Sequence, residues 1–136
     1  MITQMKKNIL LLIVGILPVI GFSQDVTIVN QFIRSMTDAQ KEQIVYEFNA
    51  DDRDDWHFLP WSSYARQGLA LKELRAEQKN LVFKLLQSSL SATGYKQTKE
   101  IIDLENVLAA SSGDSVYRDP ERYYISIYGD PTQEDI

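Results

Sequence analysis

The sequence predicts a mainly α fold with a short β component, built on a helical hairpin core and forming a fragment of a larger α+β domain. Three observations support this. Residues 72–110 carry two amphipathic segments of helical period around the turn Ser91-Ala92-Thr93-Gly94. Two shorter periodic segments precede them, and one late segment, Tyr117 to Gly129, alternates in the manner of a strand.

Taken in order, the chain begins with a basic start, Lys6 and Lys7, followed by an apolar run from Ile9 to Ile20. That run is shorter than the about 20 residues a helix needs to cross a bilayer. Gly21 and Ser23 supply the small residues a signal peptidase reads, so residues 1–23 are predicted to be a signal peptide cleaved after Ser23. The expected location is periplasmic or extracellular. An uncleaved anchor or a buried helix is the competing reading, but no cysteine follows to carry a lipid, and no stable membrane anchor is expected after cleavage.

Residues 24–136 then form a single partial domain. With Lys6 and Lys7 removed, 19 acidic residues face 12 basic ones, a formal charge of −7. Nucleic acid and anionic lipid are poor partners for such a chain, because both are held through clustered Lys and Arg. Without cysteine there is neither a disulfide nor a thiolate metal site, so packing alone must hold the domain together.

Val26, Val29, Phe32, Ile33 and Met36 recur at helical spacing after Asp25, a candidate N-cap. Thr37 and Gln40 have the spacing of a capping box, which predicts a second helix over 38–47 with Ile44, Val45 and Phe48 turned toward the first. Residues 49–55, four aspartates and an arginine among them, read as a solvated turn. A calcium loop would need oxygen ligands at alternate positions and a glycine; Arg53 or Trp56 falls at a ligand position instead, and no glycine is present.

Trp56, Phe58, Pro60 and Trp61 crowd four large or rigid groups into six residues. They read as a core plug, or as an aromatic binding wall. His57, the only histidine, cannot make a metal site alone and reads as structural, with general-base work as the alternative. Arg66 either clamps a carboxylate or phosphate or ties down loop carbonyls, and Gly68 supplies a backbone angle other residues resist.

The helix over Lys72–Leu90 gathers Leu74, Leu81, Val82, Leu85 and Leu86 on one arc, with Gln78 at its centre. The helix over 93–110 gathers Tyr95, Ile101, Ile102, Leu108 and Ala109, with Glu105 at the centre. In an antiparallel hairpin Gln78 and Glu105 come nearly level, so the pair is expected to meet inside an apolar seam. There it would act either as a register-fixing hydrogen bond or as a carboxylate tuned for acid–base work. Asp119-Pro120 reads as a turn before the strand of Tyr124, Ser126 and Tyr128, which has no visible partner in the chain and is expected to pair with absent residues or with another chain.

An ordered series of residues resembles the N-terminal part of the uncharacterised DUF3500 family. It comprises Trp56-x-Phe58-x-Pro60, Arg66, Gly68-Leu69 and Leu71, Gln78 ahead of Leu85-Leu86, Leu90-Ser91 and Gly94-Tyr95. Glu105, Arg118-Asp119-Pro120, Tyr123-Tyr124, Tyr128-Gly129 and Pro131 complete it. The resemblance implies no activity that can be named. It implies longer members, with a tryptophan-containing stretch and a Gly-His-His-Leu-Ser-Leu-like motif beyond the matching region, and so a truncated chain here.

Three functional expectations follow. The full-length form is a hydrolase-like envelope enzyme and this chain, not itself competent, contributes Glu105, Gln78 and Arg66 as supporting or acid–base residues. Alternatively the chain is a small envelope module binding through Trp56, Phe58 and Trp61, or a truncated product without activity. No cofactor is expected in this chain, and the metal use of a longer relative stays open.

Overall fold

The structure is a computed structural model and describes residues 22–55 and 57–131. Helix α1 spans Phe22–Arg34, α2 Asp38–Ile44, α3 Ala76–Ser89 and α4 Ala92–Ser112. Four two-residue strands accompany them: β1 Val45–Tyr46, β2 Leu69–Ala70, β3 Tyr124–Ile125 and β4 Ile127–Tyr128. The class is therefore mainly α with a short β component. The leader read over residues 1–23 lies outside the described residues except for its last two, which begin α1. Among the described residues no helix is long and apolar enough to cross a membrane.

Local chemistry sets the helix ends. The capping box opens α2 as its sequence indicates: Thr37 Oγ1 accepts from the Gln40 N–H at 3.3 Å, and Gln40 Oε1 accepts from the Thr37 N–H at 3.2 Å. The helix stops three residues short of its expected end because Val45 turns to extended backbone and enters β1. Between β2 and α3 a single 3₁₀ turn, Leu71–Glu73, interrupts the long helix expected from residue 72. Ser91 caps α4 by accepting from the Gly94 N–H at 3.1 Å, and Gly113 ends it at φ 72°.

Phe32, Met36, Ile44, Leu69, Leu71, Leu74 and Val82 form the buried core. They join α1 to α3 and wrap the segment from β2 through the 3₁₀ turn into the angle between them. Helices α3 and α4 follow one another across Leu90-Ser91 as the expected helical pair. The apolar arc of α3, however, packs chiefly on α1, and α4 buries no residue fully. Periodicity located that arc correctly but carries no information on which partner it meets.

The expectation that the late strand lacks a partner in the chain is corrected. β3 pairs antiparallel with β2, Leu69 opposite Ile125 and Ala70 opposite Tyr124. β4 pairs parallel with β1, Val45 opposite Ile127 and Tyr46 opposite Tyr128. Stacking of the Tyr46 and Tyr128 rings at 5.1 Å, and a bond from the Gly129 N–H to Tyr46 O at 2.9 Å, close the second pair. A partner of two residues is too short to show as an alternating pattern in the sequence.

Gly68 stands where the two pairs meet. At φ 90° its N–H donates to Tyr46 Oη at 3.2 Å, and a Cβ there would overlap the Ile125 carbonyl and press on Ser126 Oγ.

Candidate functional site

Two irregular segments face each other across a cleft of about 660 Å³. One wall is the loop after α2, from Asp52 to Gln67; the other is Glu105 of α4 with the stretch from Tyr117 to Tyr128. Anchors on the 3₁₀ turn and α3 hold the second wall. Lys72 Nζ pairs with Asp119 at 3.3 Å, Lys79 pairs with Glu121, and the Leu71 and Lys72 N–H groups donate to Tyr123 O and Glu121 O at 2.9 and 3.1 Å.

The first wall holds itself. Arg66 donates to the Leu59 carbonyl, so it does tie down its loop, and Arg53 donates to Phe48 O at 2.9 Å while lying over the Phe48 ring. Tyr64 donates to Asp55, and the His57 ring stacks on Tyr64 at 4.3 Å. Residues 49–55 are thus a solvated run of turns, as read. Among the described residues no three His, Asp or Glu side chains come together as a metal-binding group.

Two adjacent aromatic rings with a guanidinium at each end join the walls. Arg122 lies over Trp61 at 3.6 Å, Trp61 leans on Tyr117 at 5.7 Å, and Arg118 lies over Tyr117 at 5.1 Å. Arg118 Nη1 then reaches Glu105 Oε2 at 3.6 Å. A guanidinium stacked on a ring keeps its in-plane N–H groups available for an acceptor. The Arg122 Nε, closed off from solvent, has no hydrogen-bond partner among the described residues.

Charges in the cleft act on its titratable groups. The hydrogen bond to the Asp55 carboxylate, followed by desolvation, raises the Tyr64 hydroxyl above its ordinary value. Burial and then the Glu105 charge raise Tyr123; burial and then Asp52 raise Tyr128. For Asp119 burial works against the charged form, but the Glu121 N–H and Lys72 outweigh it and hold the carboxyl below the usual range.

The structure thus brings together Arg66, Glu105, Phe58, Trp61 and His57. Phe58 is 81% exposed and Trp61 36%, so this part of the aromatic run is a wall and not a core plug. Trp56 lies outside the described residues.

Gln78 is elsewhere, and its expected meeting with Glu105 is corrected. It is fully buried, with Oε1 accepting from the Arg75 N–H at 2.9 Å and Nε2 donating to Ser35 O and Gln40 Oε1, both at 3.1 Å. As the third residue of α3 it reaches back over its own helix start, which aims it at the corner of α1 and α2 and away from α4.

Sequence reasoning missed Arg118, Arg122, Tyr117 and Tyr123 as site residues. The alternation of arginine with tyrosine in YRDPERYY is the available signal; in the sequence it reads as a turn before a strand and as part of the family resemblance, without a site role.

The model of a family described as "Protein of unknown function (DUF3500)" matches residues 21–136. No curated protein and no solved structure matches the chain.

Proposed function

The chain belongs to the DUF3500 family, and from that premise we propose that it is an exported protein of the cell envelope whose cleft is the ligand-holding part of a hydrolase-like enzyme. The basic start, apolar run and small residues before Gln24 support export. The observation that carries the site is the convergence of Glu105, Arg66, Arg118 and Arg122 with Phe58 and Trp61 around one concave surface, although these residues come from two separate stretches, 58–66 and 105–122. Aromatic faces hold the body of a ligand, arginines orient its polar end, and Glu105 is the carboxylate placed to exchange a proton with it.

Expression with residues 1–23 intact, followed by mass spectrometry of the product, tests export: a chain beginning at Gln24 is expected, and a chain retaining its leader sinks that part. Turnover of a panel of esters, amides and glycosides, by this chain joined to the remainder of a longer family member, tests the chemistry. Glu105→Gln should lower kcat by about 100-fold on any substrate accepted. A small non-catalytic binding module is the second reading, favoured by the pairing of the cleft carboxylates with their neighbours: Glu105 with Arg118, Asp119 with Lys72, Asp55 with Tyr64. Ligand binding without turnover of any substrate would decide for it.

A further inference from the structure

We infer that the cleft takes a carboxylate borne on a ring, received by Arg122 with the ring lying along the aromatic wall. The inference rests on the ligand-holding reading above and names the class of ligand.

The cleft's other charged groups are largely committed. Arg66 bonds the Leu59 carbonyl, Arg53 the Phe48 carbonyl, and Arg118 faces Glu105. Lys72 and the Glu121 N–H engage Asp119, and Tyr64 engages Asp55. Asp52, which raises the Tyr128 hydroxyl, belongs to the Tyr128 end of the cleft. Arg122 differs from the other arginines. Its guanidinium lies over the Trp61 ring at 3.6 Å, and its Nε–H lacks an acceptor although it is shut off from water.

An unsatisfied N–H on a charged group is costly, and the acceptor that suits an arginine edge is a pair of coplanar oxygens. A carboxylate supplies them, one oxygen to each of two N–H groups along the guanidinium's edge. Its negative charge also answers a guanidinium with no carboxylate at ion-pair distance among the described residues; Arg66, the other such arginine of the cleft, is held by the Leu59 carbonyl. The contact with Trp61 holds the guanidinium in place for the anion, and a ring attached to it reaches Phe58 and the exposed part of Trp61, which suit either an aromatic ring or the C–H face of a sugar. Aromatic acids and uronic acids share this chemistry.

Calorimetric titration of the full chain tests the assignment with five probes: phenylacetate, a galacturonate oligosaccharide, their neutral counterparts phenylacetamide and the corresponding galactose oligosaccharide, and inorganic phosphate. One of the two acids should bind at least about tenfold more tightly than its neutral counterpart and than phosphate, and which acid does so identifies the ring. Arg122→Gln should abolish that preference. Arg122→Lys, which keeps the charge but loses the two-pronged edge, should lose at least about tenfold in affinity while circular dichroism and the thermal transition stay close to those of the parent chain.

Neutral rings binding as well as the acids, or the preference surviving Arg122→Gln, would overturn the carboxylate assignment and leave the ligand-holding reading intact. Phosphate binding as tightly as both acids would also overturn it, as a site for any anion. If none of the five probes binds, the assignment falls, and the ligand-holding reading falls with it only if a wider screen of neutral and cationic small molecules also fails.

Discussion

Gln78 is a polar side chain at the centre of an apolar arc, and its bonds explain its place there. Its amide joins the end of α1, the cap of α2 and the start of α3 through Ser35 O, Gln40 Oε1 and the Arg75 N–H, while Arg75 Nη2 adds a second bond to Ser35 O at 2.6 Å. Gln78→Leu keeps the volume but leaves these groups without their partner, and should cost about 2–3 kcal/mol in urea unfolding. Its burial was legible from the sequence, since the arc surrounds it. Its partners were not, because they belong to a corner formed by three chain segments that no single periodicity describes.

Asp119 gives a pH prediction at the same scale. Its folded carboxyl lies below the ordinary value, so its contribution is full above the ordinary carboxylate range and is lost as pH falls through the lowered value. Asp119→Asn should lower stability near neutral pH by about 0.5–1 kcal/mol, a modest figure because the Lys72 pair is partly exposed. Urea midpoints measured between about pH 7 and pH 3 should show the variant losing less on acidification than the parent chain.

Among the elements, two glycines with positive φ separate two kinds of cost. Gly113 ends α4 with nothing within 4 Å of an added Cβ, so Gly113→Ala meets backbone strain alone and should cost about 1 kcal/mol. Gly68→Ala must also displace the Ile125 carbonyl and break the β2–β3 pair, and should cost roughly 3 kcal/mol or more. Thermal midpoints of the two variants check the ranking, and equal losses would contradict it. The conformational demand at Gly68 was legible in the sequence. The steric demand was not, for it comes from a strand more than fifty residues away. The helices themselves were read to within a few residues, since capping and periodicity are local. The strands were not paired, since two residues on each side leave no pattern.

Across the whole molecule, the stretch from Tyr117 to Tyr128 serves both fold and cleft. It completes both strand pairs, lends Tyr123, Ile125 and Ile127 to the core margin, and carries Arg118 and Arg122 into the cleft. A chain ending at residue 116 should therefore fail to show a cooperative thermal transition by circular dichroism, even though all four described helices are retained in its sequence. The cleft was half legible for the same reason: its first wall has a conspicuous aromatic run, while its second becomes a wall only once the chain has returned to β1 and β2.

That return also sets the order of events during synthesis. Residues 45–46 and 69–70 find their partners only at 127–128 and 124–125, so the loops closed by these pairs span much of the chain. Contacts this distant in sequence are slow to form and cannot form at all until the partner residues have been made. The helices can gather early, but β1 and β2 must wait with unsatisfied edges, and the nascent chain stays open until residues 124–128 leave the ribosome.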